Sequence, residues 1–152
     1  MNREEQLLNR VKEELQKGQM EQARSLAGER DTKSTKDAAL HLSWADLLEE
    51  LGLFDEVIVV LNLAIRDKPD DTHIYRRLSE LYLDNGNSDR AARCWWMLVK
   101  REPANATYYK ELGRIFEEAG DYEKAMKVYR AGQEKTGGIW QAITGNKLKT
   151  LT

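Results

Sequence analysis

The 152-residue chain has one cysteine, two prolines, almost no net charge and no long apolar run. A single thiol, Cys94, cannot close an internal disulfide, so the fold depends on no oxidising compartment. Two prolines and ten glycines are too few for a linker or a fibrous chain, and 41% hydrophobic content argues against disorder. The longest apolar stretch, Val57–Ile65, is broken by Asn62 and falls short of the roughly 20 residues a membrane helix needs, so it reads as a buried element. Met1 to Leu15 mixes Arg3, Glu4, Glu5, Arg10 and Lys12 with its leucines and offers no secretory h-region, so the expected location is the cytoplasm. A formal net charge of −2 gives no bulk attraction to nucleic acid or anionic lipid, and neither is expected as a partner.

What the chain does have is a period. Gly18, Gly52, Gly86 and Gly120 recur every 34 residues, and Pro69 and Pro103 keep the same interval. Ala23, Val57, Ala91 and Ala125 follow those glycines by five residues, and Trp44, Leu78 and Leu112 precede the last three by eight. The blocks are 4–37, 38–71, 72–105 and 106–139, with 140–152 left as a tail. Within a block, spacings of three and four place Tyr75, Leu78, Leu81 and Tyr82 on one helical face. A glycine four residues beyond suits a left-handed helix end, and a second apolar stripe such as Ala125, Val128 and Tyr129 follows. Each block therefore reads as a tight helical hairpin. Ala45, Ser79, Gly113, Ala91 and Ala125 are small enough for the two helices to approach closely. Pro69 and Pro103 close the second helices, and Asp70, Asp71, Thr72 and Asn105 supply caps for the next.

With these residues in place, the chain resembles the tetratricopeptide repeat family. Block four carries the family pattern through Tyr109, Leu112, Gly113, Phe116, Gly120, Asp121, Tyr122, Ala125 and Tyr129, with Gly132 and Gly137 where alanine and proline are usual. Block three carries it through Tyr75, Leu78, Tyr82, Gly86, Ala91, Trp95 and Pro103, and block two through Trp44, Gly52, Phe54, Leu61, Ala64 and Pro69. Block one is degenerate: Leu8, Val11 and Leu15 sit one residue late, and Arg30 stands at an apolar position. It reads as an N-terminal cap, followed by a loosened connection over Asp31 to Lys36. The resemblance implies an all-α solenoid of stacked antiparallel hairpins, a right-handed superhelix of about four repeats in a single domain. A short C-terminal capping helix is expected to pack Ile139, Trp140 and Ile143 on block four, with Leu148 and Leu151 either completing it or remaining mobile; the alternatives are that the natural protein continues or that the tail docks into a neighbour's groove.

In such a stack the first helices line the concave side, which is the default binding surface. The implied groove residues are Asp46, Glu49 and Glu50 in block two, His73, Arg76, Arg77, Glu80 and Asp84 in block three, and Lys110, Arg114 and Glu117 in block four. Arg76, Arg77 and Lys110 lie near helix starts, while Glu49, Glu50, Asp84, Glu117 and Glu118 lie near helix ends, so one rim is expected to be basic and the other acidic. Both clusters oppose the helix macrodipole, at a cost of about a few tenths of a kcal/mol per charge. The Lys and Asn clamp with which some family members hold a terminal carboxylate is not evident, since its first pair falls on Leu8 and Lys12, Leu42 and Asp46, and Arg76 and Glu80. Val59 and Trp96 stand at outer positions normally polar, a possible second interface for self-association or a partner. Residues 1–71 carry a net −6 and residues 72–152 a net +4, a polarity that suits weak head-to-tail association.

Nothing in the sequence assembles chemistry. His41 stands on an apolar stripe, where a packed ring is expected, and His73 has no ligand-type residue at metal spacing. Cys94, beside Trp95, reads as an inert buried thiol. No catalytic residue, metal or cofactor is expected. The reading is a non-enzymatic scaffold or adaptor that binds a peptide or helical segment of a protein partner. The alternatives are a small dedicated chaperone for a secreted or assembly partner, and a self-associating scaffold using Trp96 or the chain ends.

Overall fold

The computed structural model describes residues 1–31, 35–138 and 140, and among these it holds eight helices and no strand. They are α1 (Arg3–Gln16), α2 (Met20–Ala27), α3 (Ala38–Glu50), α4 (Phe54–Asp67), α5 (Thr72–Asp84), α6 (Ser88–Arg101), α7 (Ala106–Glu118) and α8 (Tyr122–Thr136). The starts of α3, α5 and α7, and of α4, α6 and α8, are each 34 residues apart. One local device sets that period. Gly18, Gly52, Gly86 and Gly120 have φ of 71–79°, a region closed to most side chains. The next amide in each case returns to the carbonyl five residues back, Gln19 to Glu14, Leu53 to Leu48, Asn87 to Tyr82 and Asp121 to Phe116, at 2.7–2.9 Å. These bonds satisfy carbonyls that a helix end would otherwise leave open and turn the chain into the next helix. The helix starts are capped by side chains at the same period: Asp37, Asp71 and Asn105 accept from the amides of Ala39, His73 and Thr107.

The chain divides into two compact units, Met1–Ile74 and the residues from Tyr75 onward. In the first, α1 and α2 pair, α3 and α4 pair, and α1 touches α3. Val11, Ala23, Ala27, Ala45, Leu48, Val57, Val60, Leu61 and Ala64 are fully buried between them. The register of α1 is a correction to the sequence reading. Its buried residues are Leu7, Leu8 and Val11, and Leu7 and Val11 stand 34 residues before His41 and Ala45, so the helix keeps the common phase. Leu15 is half-buried, outside the core. The degeneracy lies in α2 instead, which stops at Ala27, six residues earlier than α4 would predict.

Arg30, just beyond that early end, is folded inward. Its guanidinium lies 5.5 Å from the Trp44 ring, donates to the Ala27 carbonyl at 3.0 Å and pairs with Glu56 at 2.6 Å. Arg24 donates to the Leu51 carbonyl at 3.0 Å, a second tie between α2 and its neighbour hairpin. Two arginines thus do what a longer apolar helix does in the other repeats. Glu4, also buried, accepts from the Asp31 amide at 3.0 Å and fixes the start of the connection, of which residues 32–34 lie outside the described residues.

In the second unit α6 packs on α7 and α7 pairs with α8. Ser79 of α5 donates to the Ala91 carbonyl of α6 at 3.3 Å, a distance that only small residues on both helices permit. In the last hairpin the space is tighter still: a β-carbon on Gly113 would land on the ring of Tyr129. Gly132, where the repeat pattern has alanine, would bring a β-carbon to 2.5 Å from Trp140 and 2.8 Å from Tyr109. Trp140 is 2% exposed and tilts against Tyr129 with ring centroids 5.6 Å apart, so the expected C-terminal cap does place its indole on block four. Ile139, Ile143, Leu148 and Leu151 lie outside the described residues.

Candidate protein-binding surfaces

Each unit has a depression between its successive first helices. In the first unit it measures about 460 Å³ and lies between α1 and α3, lined by Lys12, Leu15 and Gln16 on one side and Ser43, Asp46, Leu47 and Glu50 on the other. The turn at Gly18 and the cap at Asp37 set the ends of these helices, and the i, i+3 and i+4 spacings bring each set onto one face. The surface offers two carboxylates, one ammonium, an amide, a hydroxyl and two leucines.

The second unit has a smaller depression of about 230 Å³, lined by Arg76, Ser79, Glu80 and Leu83 of α5, Trp95 of α6, and Thr107, Glu111 and Arg114 of α7. Its two arginines differ. Burial is the largest single influence on Arg114 and lowers its pKa, but the hydrogen bonds and charges of Glu111, at 3.1 Å, and Glu118 together outweigh it and raise the pKa, so it is a fixed cation. Arg76 lies over the ring of buried Trp95, 5.8 Å from its centroid, which orients the guanidinium without using its N–H groups. Trp95 in turn rests on Tyr108, ring centroids 6.1 Å apart.

Of the residues the sequence assigns to the groove, Asp46 and Glu50 meet in the first depression and Arg76, Glu80 and Arg114 in the second. Glu49, His73, Arg77, Asp84 and Lys110 are not among their lining residues. Glu117 is turned toward α8, where it accepts from the Tyr129 hydroxyl at 2.6 Å. Burial, and then that hydrogen bond, push the Tyr129 phenol well above its ordinary pKa. The groove assignment left out Lys12, Leu15 and Gln16 because block one was read as a degenerate cap; the period itself was the signal, since they stand 34 residues before Asp46, Glu49 and Glu50.

A third depression, about 320 Å³, opens on another side of the second unit between α6, α7 and α8, with Ala92, Trp96, Leu112, Phe116 and Val128 at its base and Asp89, Arg93 and Lys124 around it. Trp96 is 45% exposed and Met97 beside it 42%, so the indole is neither core nor fully free. Lys124 stands over Phe116 and pairs with Asp121 at 2.9 Å, which lowers the Asp121 pKa. Val59 is also exposed, on α4 of the first unit.

The described residues bring no group of metal-ligating side chains together. His41 is 2% exposed, with Nε2 3.1 Å from the Thr35 carbonyl and 3.6 Å from Asp67. A carbonyl only accepts, so Nε2 carries the proton. Tyr109, two repeats later, donates to the Pro103 carbonyl at 2.9 Å from the same register, so His41 performs a structural tether in place of a tyrosine. Burial pushes the Cys94 thiol up to about 11, the opposite of what a nucleophile needs. No helix among the described residues is long and apolar enough to cross a membrane.

Helical hairpins joined by left-handed glycines at a fixed period, with shallow polar depressions between successive first helices, define a class of repeat proteins that act as protein-interaction scaffolds. The chain resembles the tetratricopeptide repeat family: residues 76–138 match that family's model, and the solved structures it resembles share its all-helical fold. Among curated proteins, human general transcription factor 3C polypeptide 3 is 31% identical over 86 residues, 57% of this chain and 10% of that one. The Caenorhabditis elegans BBSome complex member bbs-4 is 26% identical over 111 residues, 71% of this chain and 24% of its own. The chain thus spans about a tenth and a quarter of these relatives. A crystal structure of MamA superposes with a TM-score of 0.58 at 20% identity, covering 88% of this chain and 73% of MamA. A MamA double mutant covers 99% and 90%, at a TM-score of 0.55 and 18% identity. At such identities the likeness concerns the fold.

Proposed function

We propose that the protein is a non-enzymatic adaptor that holds a segment of a protein partner on the first-helix faces, in the α1/α3 and α5/α7 depressions. The observation that carries this reading is Arg76: laid on Trp95 at a depression's edge with its N–H groups unspent on that contact, it is a pre-oriented donor for a partner's carboxylate or carbonyl. The mixed charge of both linings suits a polar segment of a protein, and the curated relative named as a complex member is consistent with work inside an assembly. Affinity capture of the full chain followed by mass spectrometry tests the reading. A stoichiometric partner held by the wild type and released by Arg76→Glu with Arg77→Glu supports it; retention of every partner by that variant rejects it.

A second reading rests on Trp96. Its half-exposed indole over an apolar depression is the chemistry of an interface core, used for self-association or for a second partner. Trp96→Ser leaving the hydrodynamic mass and the captured partners unchanged would remove it.

A further inference from the structure

Met20, Phe54 and Tyr122 are exposed, each opens the second helix of a hairpin, and each is followed by a carboxylate. The three carboxylates differ in what holds them. Glu21 pairs with Arg24 at 3.2 Å and Glu123 with Lys127 at 3.0 Å. Asp55 is exposed, and its side chain has no hydrogen-bond or ion-pair partner among the described residues. Phe54, 50% exposed, thus stands beside an unspent negative charge, and Ile58 and the exposed Val59 continue the apolar surface one turn along α4.

The α6/α7/α8 depression is the converse. Its base of Ala92, Trp96, Leu112, Phe116 and Val128 is apolar, and about 320 Å³ is at the small end of binding pockets, a space for side chains and not for a whole helix. Of the two cations on its rim, Lys124 is already balanced: the hydrogen bond and charge of Asp121, at 2.9 Å, raise its pKa, and the charge of Asp89 adds to them. Arg93 is exposed and has no hydrogen-bond or ion-pair partner among the described residues. The two surfaces also lie on units of opposite charge, since residues 1–74 carry a net −6 and residues 75–152 a net +4.

We infer that the α6/α7/α8 depression of one copy receives Phe54 of a second copy of this chain, with Asp55 pairing with Arg93 and with Ile58 and Val59 lying against Trp96 and Met97. The inference rests on the reading of Trp96 as an interface residue and names its occupant. The contact joins two different surfaces, so it is heterologous and adds copies head to tail. The aromatic anchor, enclosed at the centre, carries most of the affinity, and the rim pair sets the orientation. Salt therefore weakens the association without abolishing it, as the Debye length shrinks from about 10 Å at 0.1 M to about 3 Å at 1 M.

Sedimentation velocity on the purified full chain over a concentration series tests this without any other partner. The wild type is expected to gain mass with concentration. Phe54→Ser is expected to weaken the association by about tenfold or more, as loss of a central anchor does. Tyr122→Ser, the same kind of change at the equivalent exposed position, is expected to leave it unchanged. Asp55→Arg and Arg93→Asp each weaken it, and mixing the two restores it, because each reversed charge then meets its complement on the other chain. All four positions are exposed, and circular dichroism checks that each variant keeps its helices. A wild type that stays monomeric at every concentration overturns the inference. So does an association that Phe54→Ser leaves unchanged or Tyr122→Ser weakens as much, or a mixture of the charge variants that fails to recover. Association lost in Trp96→Ser but intact in Phe54→Ser keeps the Trp96 interface and rejects Phe54 as its occupant, so the two failures are told apart.

Discussion

The indole of Trp140 fills the space that a side chain on Gly132 would occupy, with Cζ3 2.5 Å from where that β-carbon would be. Trp140 stands at the first position of what would be a fifth block, 34 residues after Ala106, and Gly132 at the position that holds Arg30, Ala64 and Leu98 in the preceding ones. The last hairpin is therefore closed by a large residue entering a gap left by the smallest one. Gly132→Ala is expected to expel or tilt the indole and to destabilise the protein by about 1–3 kcal/mol, as overpacking does. Trp140→Ala, which opens a cavity, costs more, about 3 kcal/mol or above. Chemical denaturation with tryptophan fluorescence measures both, and an unchanged midpoint for Gly132→Ala would contradict the packing.

The same register position at the other end of the chain makes an opposite prediction. Arg30 is buried against Trp44 and paired with Glu56, and its Nε has no hydrogen-bond partner. Removing only Glu56 leaves a cation in that site, so Glu56→Ala is expected to destabilise by about 1–2 kcal/mol, less than for a fully buried pair because Glu56 is partly exposed. Arg30→Met, of similar volume and apolar like the equivalent residues of later repeats, is expected to be neutral or stabilising. Thermal denaturation of the two variants side by side separates these outcomes.

Cys94 carries a pH dependence of calculable sign. Its folded-state pKa is raised by burial from 9.0 to about 11, so between those values the unfolded thiol loses its proton while the folded one keeps it. The unfolded state then binds fewer protons, and stability falls as pH rises through that window, by at most about 1.4 kcal/mol per pH unit. Below pH 9 the term is constant. Urea titrations at successive pH values, with Cys94→Ala as the reference lacking the thiol, isolate it. The folded thiol is also expected to resist alkylation at pH 8, and rapid labelling would contradict its burial.

The tether at the aromatic register gives a further comparison. Tyr109 donates its hydroxyl to the Pro103 carbonyl as His41 Nε2 does to that of Thr35. Tyr109→Phe keeps the ring and loses one hydrogen bond, an expected cost of about 1 kcal/mol. His41→Tyr, which installs the residue of the later repeats, is expected to fold but to lose the contact with Asp67. Denaturant midpoints of the two variants test whether the position acts alike in both units.

The period of 34 made most of the fold legible, because one glycine conformation and one set of caps repeat it, and local chemistry of that kind is readable residue by residue. The helix pairs, the helix-ending role of Pro69 and Pro103, the packed His41 and the buried Cys94 all follow from it. The ends were not legible, since there the chain departs from its own pattern. Arg30 looked like a polar residue in an apolar position, and only the arrangement of Trp44 and Glu56 around it shows what it does. Block one was read as a degenerate cap because Leu8, Val11 and Leu15 form a stripe of their own; in the fold Leu7, Leu8 and Val11 are buried and Leu15 is only half-buried. For the binding surface, spacing placed Asp46, Glu50, Arg76, Glu80 and Arg114 on the first helices. It could not show that Arg114 is held by two carboxylates while Arg76 rests on an indole, nor that Glu117 accepts from Tyr129.

The central claim is that the first helices of the hairpins, and not the second, hold the partner. Hydrogen–deuterium exchange on the full chain, with and without a captured partner, measures this most directly. The account predicts slowed exchange in α1, α3, α5 and α7 at the residues lining the two depressions, with α4, α8 and the Trp96 side of α6 unchanged. Protection confined to α6 and α8 around Trp96, with the first helices unaffected, would contradict it.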